Sequence, residues 1–252
     1  MSLLAEILAH KRAEAAGLGP APRSRFEPRP APLARGPGQP LRLIAEIKRR
    51  SPSAGPLSTA LSVGERARVY QRAGASMLSV LTDGKYFDGA FDHLRLAREA
   101  STLPLLCKDF IVGERQLDWA RAAGADAVLL IVRCLAPPEL DALLGACRAR
   151  GLTPLVEVAT DAEAARARDA GAELVGVNAR DLDTLAMDPE GAARIVAGLP
   201  PGVTRVHLSG VASGEDVRQL AARRLDAALI GEALMRQADP APLLAEMCAA
   251  AG

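Results

Sequence analysis

The sequence predicts an α/β protein: a (β/α)8 barrel, or TIM barrel, with an N-terminal helical extension. Eight short apolar runs recur between residue 41 and the C-terminus, and each interval between them has room for a helix. Three runs are introduced by nearly the same phrase: RAGAS at 72–76, AAGAD at 122–126 and DAGAE at 169–173. Glycine is the usual residue just past a helix. Apolar strands that alternate with helices are typical of a parallel sheet buried on both faces.

The eight apolar runs are the predicted strands of the barrel. In chain order they are RLIAEI, SMLSVLT, LPLLCKDF, DAVLLIV, TPLVEV, LVGVNA, TRVHLS and DAALIG. Eight strand–helix units in 252 residues fit a closed barrel better than an open sheet. An open doubly wound sheet is the alternative, but no G-x-G-x-x-G follows the first strand to support dinucleotide binding.

The first 40 residues have a different character from the rest of the chain. Residues 2–16 predict an amphipathic helix with Leu4, Ile7 and Leu8 on one face. A proline-rich passage follows from 19 to 40, and its prolines disfavour both helix and strand pairing.

The proline-rich passage contains two large apolar residues, Phe26 and Leu33, which could pin it onto a folded body. A disordered linker is the alternative. We therefore expect residues 1–40 to be a helix and an extension packed on the barrel, and residues 41–252 to be the catalytic barrel, within a single domain overall.

The composition argues against nucleic acid and membranes as partners. Lys and Arg number 31 and Asp and Glu 30, a formal net charge of +1, which gives no support for a nucleic acid or an anionic membrane. No run approaches the ~20 apolar residues of a membrane span. Charged residues interrupt the apolar positions at the N-terminus, so we expect no signal peptide and a cytoplasmic location.

The cysteines and histidines show no metal-binding pattern. Three histidines are scattered, and the four cysteines contain no C-x-x-C pair. We expect reduced thiols that pack as small apolar residues, and neither a metal nor a cofactor. The cysteines are Cys107, Cys134, Cys147 and Cys248.

Polar residues recur where the predicted strands end. In barrels of this kind the chemistry takes place at the carboxyl ends of the strands. Residues two apart on a strand face the same side, so Glu46 and Lys48 are both expected in the barrel mouth. The residues at the strand ends are Glu46, Lys48, Lys108, Asp109, Glu157, Asn178, Arg180, Ser209, Gly210 and Gly231.

Each of these side chains also has a purely structural explanation. Glu46 and Lys48 could form a structural ion pair, and Lys108 with Asp109 a surface pair of little energetic value. Glu157 could cap the helix that follows it. The coincidence of place favours catalysis, because five strands deliver ionisable or amide groups to one rim.

Glycines at the ends of the last two strands predict an anion site. Gly210 lies in LSGVASGED and Gly231 in LIGEAL, and each precedes a plausible short helix. Backbone N–H groups at such positions bind phosphate, and phosphate sites after these two strands are frequent in this fold. Ser51, in the loop after the first strand, could donate a further hydrogen bond.

A series of segments follows in a characteristic order: EIKRRSPSAG, SVLTDGKYFDG, LLCKDFIV, ADAVLLIV, PLVEV, GVNARDL, LSGV and GEALM. From about residue 42 to the end, this series resembles the indole-3-glycerol-phosphate synthase family, and the N-terminal helix resembles the helices before that family's barrel. The E-x-K-x-x-S-P-S and K-D-F-I-V blocks are specific to the family among phosphate-binding barrels.

The resemblance implies a metal-free carboxy-lyase of tryptophan biosynthesis. Its substrate would be 1-(2-carboxyphenylamino)-1-deoxyribulose 5-phosphate, a phosphorylated small molecule with an anthranilate ring. Its products would be indole-3-glycerol phosphate, carbon dioxide and water. We expect a monomer or a weak homodimer.

The resemblance also implies which residues form the site. The family's catalytic set falls on Glu46, Lys48, Lys108, Glu157, Asn178 and Ser209. The phosphate would contact Ser51, Gly210 and Gly231, with Arg180 near the site. An apolar pocket for the aromatic ring would be formed by Phe87, Phe110 and Leu182.

Two positions depart from the family pattern. Leu208 stands where the family commonly has Glu before Ser-Gly, so a polar role there is lost. Glu232 follows Gly231 where relatives often have Ser or Thr, and a carboxylate cannot donate a hydrogen bond to phosphate. We therefore expect only a backbone contact to phosphate at this position.

The chemistry suggests a division of roles. A general acid must protonate the ketone oxygen as charge develops there, and Lys108 is the candidate. Lys48 would pair with the substrate carboxylate, and Glu46 would balance the charge of Lys48. Glu157 would be the general base, while Asn178 orients a hydroxyl or only supports a turn. Exchanging the roles of the two lysines fits the sequence equally well.

Three other functions also fit a phosphate-binding barrel. A Schiff-base aldolase uses a barrel lysine, and the sister isomerase of the same pathway binds a related phosphate but needs neither the E-x-K pair nor K-D-F. The third is a catalytically silent ligand-binding barrel, and Leu208 is the only residue that favours it.

Overall fold

A computed structural model describes residues 2–252 of the chain. Eight parallel strands close into one barrel, in which each strand pairs with its sequence neighbours and the last pairs with the first. The (β/α)8 fold predicted from the sequence is confirmed. The strands are β1 Arg42–Ile47, β2 Met77–Leu81, β3 Leu105–Lys108, β4 Ala127–Ile131, β5 Thr153–Val158, β6 Leu174–Val177, β7 Thr204–His207 and β8 Ala227–Ile230.

Helices surround the barrel, and most of them connect successive strands. A single 3₁₀ turn, Val132–Cys134, follows β4. The helices are α1 Leu3–Gly17, α2 Val63–Arg72, α3 Gly84–Phe87, α4 Phe91–Ala100, α5 Glu114–Ala122, α6 Pro137–Ala149, α7 Asp161–Asp169, α8 Pro189–Gly198, α9 Gly214–Ala221, α10 Glu232–Met235 and α11 Ala241–Ala249.

The loop after β1 contains a feature that the sequence patterns did not predict. Two-residue strands, Arg50–Ser51 and Gly55–Pro56, pair antiparallel as a small hairpin. The four-residue helix α3 was not predicted either. Elements of this length show no hydrophobic period that a sequence pattern could detect.

Side chains alternate between the inside of the barrel and the surrounding helices, as the period of a strand requires. Along β1, Ile44 lies in the apolar cluster inside the barrel, while Leu43 and Ala45 lie in the cluster between strands and helices. Glu46 continues the inward series from Ile44. The opening glutamate of the E-x-K pair is therefore directed into the barrel by its register.

Helix α1 packs against the mouth of the barrel. The Ser2 side chain caps it by accepting a hydrogen bond from the backbone N–H of Ala5. Its buried residues are Leu4, Ile7 and Lys11, whose spacing of three and four puts them on one face. Leu4 and Ile7 join the apolar cluster inside the barrel.

The first part of the proline-rich passage lies along α4 and α5. The indole N–H of Trp119 donates to the backbone oxygen of Gly19 at 3.0 Å. The guanidinium of Arg98 lies over the Phe26 ring, 5.6 Å from the ring centroid. The same ring lies beside Gly124. A side chain at Gly124 would collide with Arg98 and Phe26, so this glycine permits the close approach.

The second part of the passage crosses the N-terminal end of the barrel. The backbone N–H of Arg29 donates to Asp126 at 2.6 Å, and that of Arg35 donates to Asp226 at 3.1 Å. Both aspartates immediately precede barrel strands. Leu33, between the two anchors, is 3% exposed and belongs to the cluster inside the barrel. These contacts support our proposal that residues 1–40 pack on a barrel formed by 41–252.

Two smaller observations complete the fold. All four cysteines are unpaired, and three of them are buried, as expected of thiols that act as small apolar residues. No helix among residues 2–252 is both long and apolar enough to span a membrane.

Candidate active site

A pocket of about 390 Å³ opens at the carboxyl ends of the strands, within the range of small-molecule sites. Nearly all of the predicted site residues line it, and Glu157 is the exception. Those that line it are Glu46, Lys48, Ser51, Phe87, Lys108, Phe110, Asn178, Arg180, Leu182, Ser209, Gly210 and Gly231.

Glu46 and Lys48 form an ion pair on the wall of the pocket. The Nζ of Lys48 lies 3.0 Å from Oε1 of Glu46, and Ser79 donates to the other carboxylate oxygen at 3.1 Å. Burial acts to raise the pKa of Glu46, but the attraction of Lys48 and Lys108 outweighs it and holds the pKa below its usual value. Glu46 is therefore an anion at neutral pH, and it faces two lysines.

Lys108 lies at the end of β3 and is half-buried. Among residues 2–252 its ammonium group forms no ion pair, whereas Lys48 is already matched with Glu46. Its sequence neighbour Asp109 does not pair with it: Asp109 is 3% exposed and lies 2.9 Å from the Nζ of Lys11. The alternative of a surface pair between Lys108 and Asp109 is therefore wrong, because the adjacent residues point into different environments.

Glu157, Asn178 and Ser209 form a connected hydrogen-bond chain. The hydroxyl of Ser209 donates to Oδ1 of Asn178 at 2.8 Å, and Nδ2 of Asn178 donates to Oε1 of Glu157 at 2.9 Å. Asn178 also accepts the backbone N–H of Arg180, so it supports the turn as well. Glu157 is 2% exposed and lies beneath Asn178 instead of on the pocket surface.

The second carboxylate oxygen of Glu157 is buried and, in the part of the chain described, has no hydrogen-bond partner. Buried polar atoms are nearly always satisfied, so an unsatisfied one requires an explanation. Glu157 does not cap the helix that follows it, because Thr160 caps α7. Helix capping therefore does not explain this unsatisfied oxygen.

One wall of the pocket is apolar. Phe87 and Phe110 lie 6.2 Å apart between ring centroids, with their planes tilted at 40°. Leu182 packs against the same cluster. Helix α1 adds Leu4 and Ile7 to this wall, together with Leu3. The sequence placed Leu4, Ile7 and Leu8 on one face of α1 but did not predict that this face would line the site.

Another part of the pocket is formed by the loops after β1, β7 and β8. Gly210 has φ of +85°, a conformation that favours glycine. Among the described residues, the backbone N–H groups of Gly210 and Val211 donate no hydrogen bonds. The buried hydroxyl of Ser51 lies on this side as well. The two free N–H groups are donors of the kind that bind phosphate.

The two departures from the family pattern both line the pocket. Leu208 is 5% exposed, and a Cβ at Gly176 would lie 2.5 Å from its Cδ1, so Leu208 fills space inside the barrel. Glu232, at the start of α10, accepts two hydrogen bonds from the guanidinium of Arg236. Arg236 lines the pocket too, and sequence reasoning missed it, although a pair four residues apart in a helix is a recognisable signal.

A closed (β/α)8 barrel with a charged and partly apolar pocket at its carboxyl-terminal face is the architecture of a barrel enzyme. The family model for indole-3-glycerol phosphate synthase matches residues 25–247. The chain belongs to the indole-3-glycerol phosphate synthase family.

Curated relatives agree with this family. The chain is 47% identical to the indole-3-glycerol phosphate synthase of Mycolicibacterium vanbaalenii over 208 residues, which cover 82% of this chain and 76% of that protein. It is 42% identical to that of an Exiguobacterium species over 249 residues, 98% of this chain and 96% of that protein.

Solved structures show the same fold at low sequence identity. The 3-hexulose-6-phosphate synthase of Salmonella typhimurium matches with a TM-score of 0.66 at 15% identity, covering 83% of this chain and 98% of that one. The thiamine phosphate pyrophosphorylase of Pyrococcus furiosus matches with a TM-score of 0.63 at 19% identity, covering 83% of this chain and 95% of that one. These likenesses concern the barrel alone.

Proposed function

We propose that the pocket at the barrel mouth carries out the family's reaction, with Lys108 as the general acid. Family membership makes this chain a carboxy-lyase of tryptophan biosynthesis that forms indole-3-glycerol phosphate. The substrate, 1-(2-carboxyphenylamino)-1-deoxyribulose 5-phosphate, presents a carboxylated ring at one end and a phosphate at the other. Family membership also decides against the aldolase, the isomerase and the silent binding protein.

The pocket offers matching surroundings for the two ends of this substrate. The apolar wall with Phe87 and Phe110 suits the aromatic ring, which gains free energy when it leaves water. The free N–H groups near Gly210, together with the hydroxyl of Ser51, suit the phosphate. Arg236 adds a cation on that side and could turn from Glu232 to the phosphate, which offsets the missing hydroxyl at position 232.

The observation that best supports this proposal is a difference between the two lysines. Lys48 is held by Glu46, whereas Lys108 has no partner among the residues described. A lysine without a partner is free to donate its proton to the ketone oxygen when a ring carbon attacks the ketone carbon. Lys48 would then hold the ring carboxylate until that group leaves as carbon dioxide. This asymmetry favours Lys108 over Lys48 as the acid.

The dehydration step requires a base, for which Glu157 remains our candidate. Its unpartnered oxygen would gain a hydrogen bond from a substrate hydroxyl that reached it, because the other oxygen is already held by Asn178. Asn178 and Ser209 lie between Glu157 and the pocket, so they would orient that hydroxyl. Hydrogen bonds in an unliganded site often tighten only when substrate binds.

Replacement of Lys108 tests the proposed general acid. Lys108→Ala is expected to lower kcat by about 100-fold or more while substrate still binds, since loss of one acid–base group costs at least this much. Lys48→Ala is expected to act mainly on KM. The rate is measured as the appearance of indole fluorescence.

The matched control is Lys85→Ala, because Lys85 is an exposed lysine near the mouth that pairs with Glu6 and does not line the pocket. It is expected to leave kcat and KM unchanged. A Lys108→Ala variant with near-normal kcat would remove Lys108 from the role of acid.

A further inference from the structure

Lys11 of helix α1 is the centre of a buried charge cluster outside the pocket. Its side chain is 0% exposed, and its Nζ lies 2.9 Å from Asp109 and 3.0 Å from Asp83, both of which are also buried. A third carboxylate, that of Glu14, lies 3.0 Å away and is partly exposed. One ammonium group is thus shared by two carboxylates from separate loops.

Each of the two aspartates is attached to a part of the proposed site. Asp109 stands between Lys108 and Phe110 in the chain, and Thr82 fixes it further by donating a hydrogen bond at 2.6 Å. The two neighbours of Asp109 therefore both line the pocket.

Asp83 has the corresponding place in the loop after β2. Its carboxylate caps α3 by accepting the backbone N–H of Tyr86 at 2.7 Å. Helix α3 ends at Phe87, whose ring belongs to the apolar wall. The charge of Lys11 therefore connects the loop that carries the acid with the helix that carries the ring-binding side chain.

We propose that Lys11 is a positioning residue that fixes Lys108 through Asp109 and Phe87 through Asp83. The inference rests on the proposed role of Lys108. Lys11 touches neither substrate nor pocket. Lys11 lies on the same face of α1 as Leu4 and Ile7, which do line the pocket.

The physical reason is the cost of buried charge. A buried carboxylate is tolerated only when it is paired and hydrogen-bonded. Burial, and to a smaller extent the nearby Asp83, raises the pKa of Asp109 above its usual value, although Lys11 and Thr82 act to lower it. Without Lys11 the two aspartates would repel each other across a low-dielectric space, and their loops would separate or admit water.

A shift of such a loop has a known kinetic consequence. A misplacement of about 1 Å in a catalytic group can cost roughly 100-fold in rate. A merely structural ion pair would lower the stability of the protein without changing the kinetics of the molecules that remain folded.

Three variants test the proposal by kinetics and thermal unfolding, with kinetics measured where circular dichroism shows each variant folded. Lys11→Met is expected to lower kcat by about 10-fold to 100-fold and to raise KM, because both connections are lost. Thr82→Val acts on the Asp109 side alone, so it is expected to lower kcat with little change in KM. Lys11→Arg, which keeps the charge, is expected to restore part of the lost kcat.

The matched control is Arg12→Met. Arg12 is the next residue in α1 and also forms an ion pair with the barrel, at 3.0 Å to Glu139, but that pair is exposed. Its kcat and KM are expected to equal those of the wild type.

The outcomes separate the two hypotheses. If Lys11→Met and Thr82→Val have lowered Tm but wild-type kcat and KM, Lys11 is structural only and the inference is overturned. If Lys11→Met does not fold, Thr82→Val decides alone by the same criterion. If Lys108→Ala itself keeps its activity, the proposed function of Lys108 fails first, and that failure is visible without any Lys11 variant.

Discussion

Gly231 shapes the candidate site because it has no side chain. A Cβ at this position would lie 2.6 Å from Oε1 of Glu46 and 3.3 Å from Nζ of Lys48. The ion pair on the pocket wall therefore occupies the space that any other residue at 231 would need. The sequence predicts a phosphate contact for this glycine, and the structure shows that its lack of a side chain makes room for the ion pair.

We predict that Gly231→Ala lowers kcat/KM by about 10-fold to 100-fold, because the new methyl group displaces the Glu46 carboxylate and misplaces Lys48. The measurement is steady-state kinetics by indole fluorescence. The control is Gly145→Ala inside α6, where a Cβ would meet nothing within 4 Å. It should leave activity unchanged and stabilise the protein by about 0.5–1 kcal/mol. Equal kinetics for the two variants would contradict the prediction.

Among single residues, the sequence predicted best where the backbone itself fixes the direction of a side chain. Strand period placed Glu46, Lys108 and their neighbours at one rim, because the register of parallel strands leaves little freedom. It did not predict the partner of Asp109. Asp109 follows Lys108 in the sequence but is not its partner in space, because adjacent residues of a strand point to opposite faces.

Among the secondary-structure elements, the proline-rich extension closes the end of the barrel opposite to the pocket. Leu33 is its buried anchor, held between the backbone contacts of Arg29 and Arg35 with the aspartates below β4 and β8. The extension therefore does not cover the mouth. Helix α1 lies at the mouth instead and brings Leu4 and Ile7 to the pocket.

We predict that Leu33→Ala lowers the free energy of unfolding by about 2–5 kcal/mol, the usual cost of a cavity left by a buried leucine. Because Leu33 lies far from the mouth, kcat and KM should stay unchanged while the protein is folded. Urea unfolding and steady-state kinetics measure the two effects. Leu96→Ala is the matched control, since Leu96 is 36% exposed and its loss should cost less than about 0.5 kcal/mol. Equal stability of the two variants would show that the extension does not contribute to the core.

At the scale of the whole molecule, the surface bears on the oligomeric state. Among residues 2–252, the large hydrophobic side chains that are exposed are Leu96 and Met187. Stable dimers need an interface of roughly 800 Å² per partner with an apolar centre, and two separate side chains do not provide one.

We therefore keep the prediction of a monomer or a weak homodimer. Sedimentation at micromolar concentration should give the mass of one chain, with at most a small dimer fraction that grows with concentration. A single species of twice that mass at all concentrations would contradict it.

The sequence by itself determined the barrel, the helix before it and the polar side chains that the strand ends bring to the mouth. These features follow from local periods, from glycine at turns and from the rule that strand ends meet at one face, all of which are properties of short segments. The resemblance to the family's motifs then predicted the reaction.

Only the tertiary structure decided which groups meet across the chain. It put Lys11 between Asp83 and Asp109, placed Glu157 beneath Asn178, and sent the proline-rich extension under the barrel. These contacts join segments far apart in sequence, and they depend on how whole faces pack and on where buried charges find partners. No local pattern carries that information, because the period of a helix shows which face is buried but not what it is buried against.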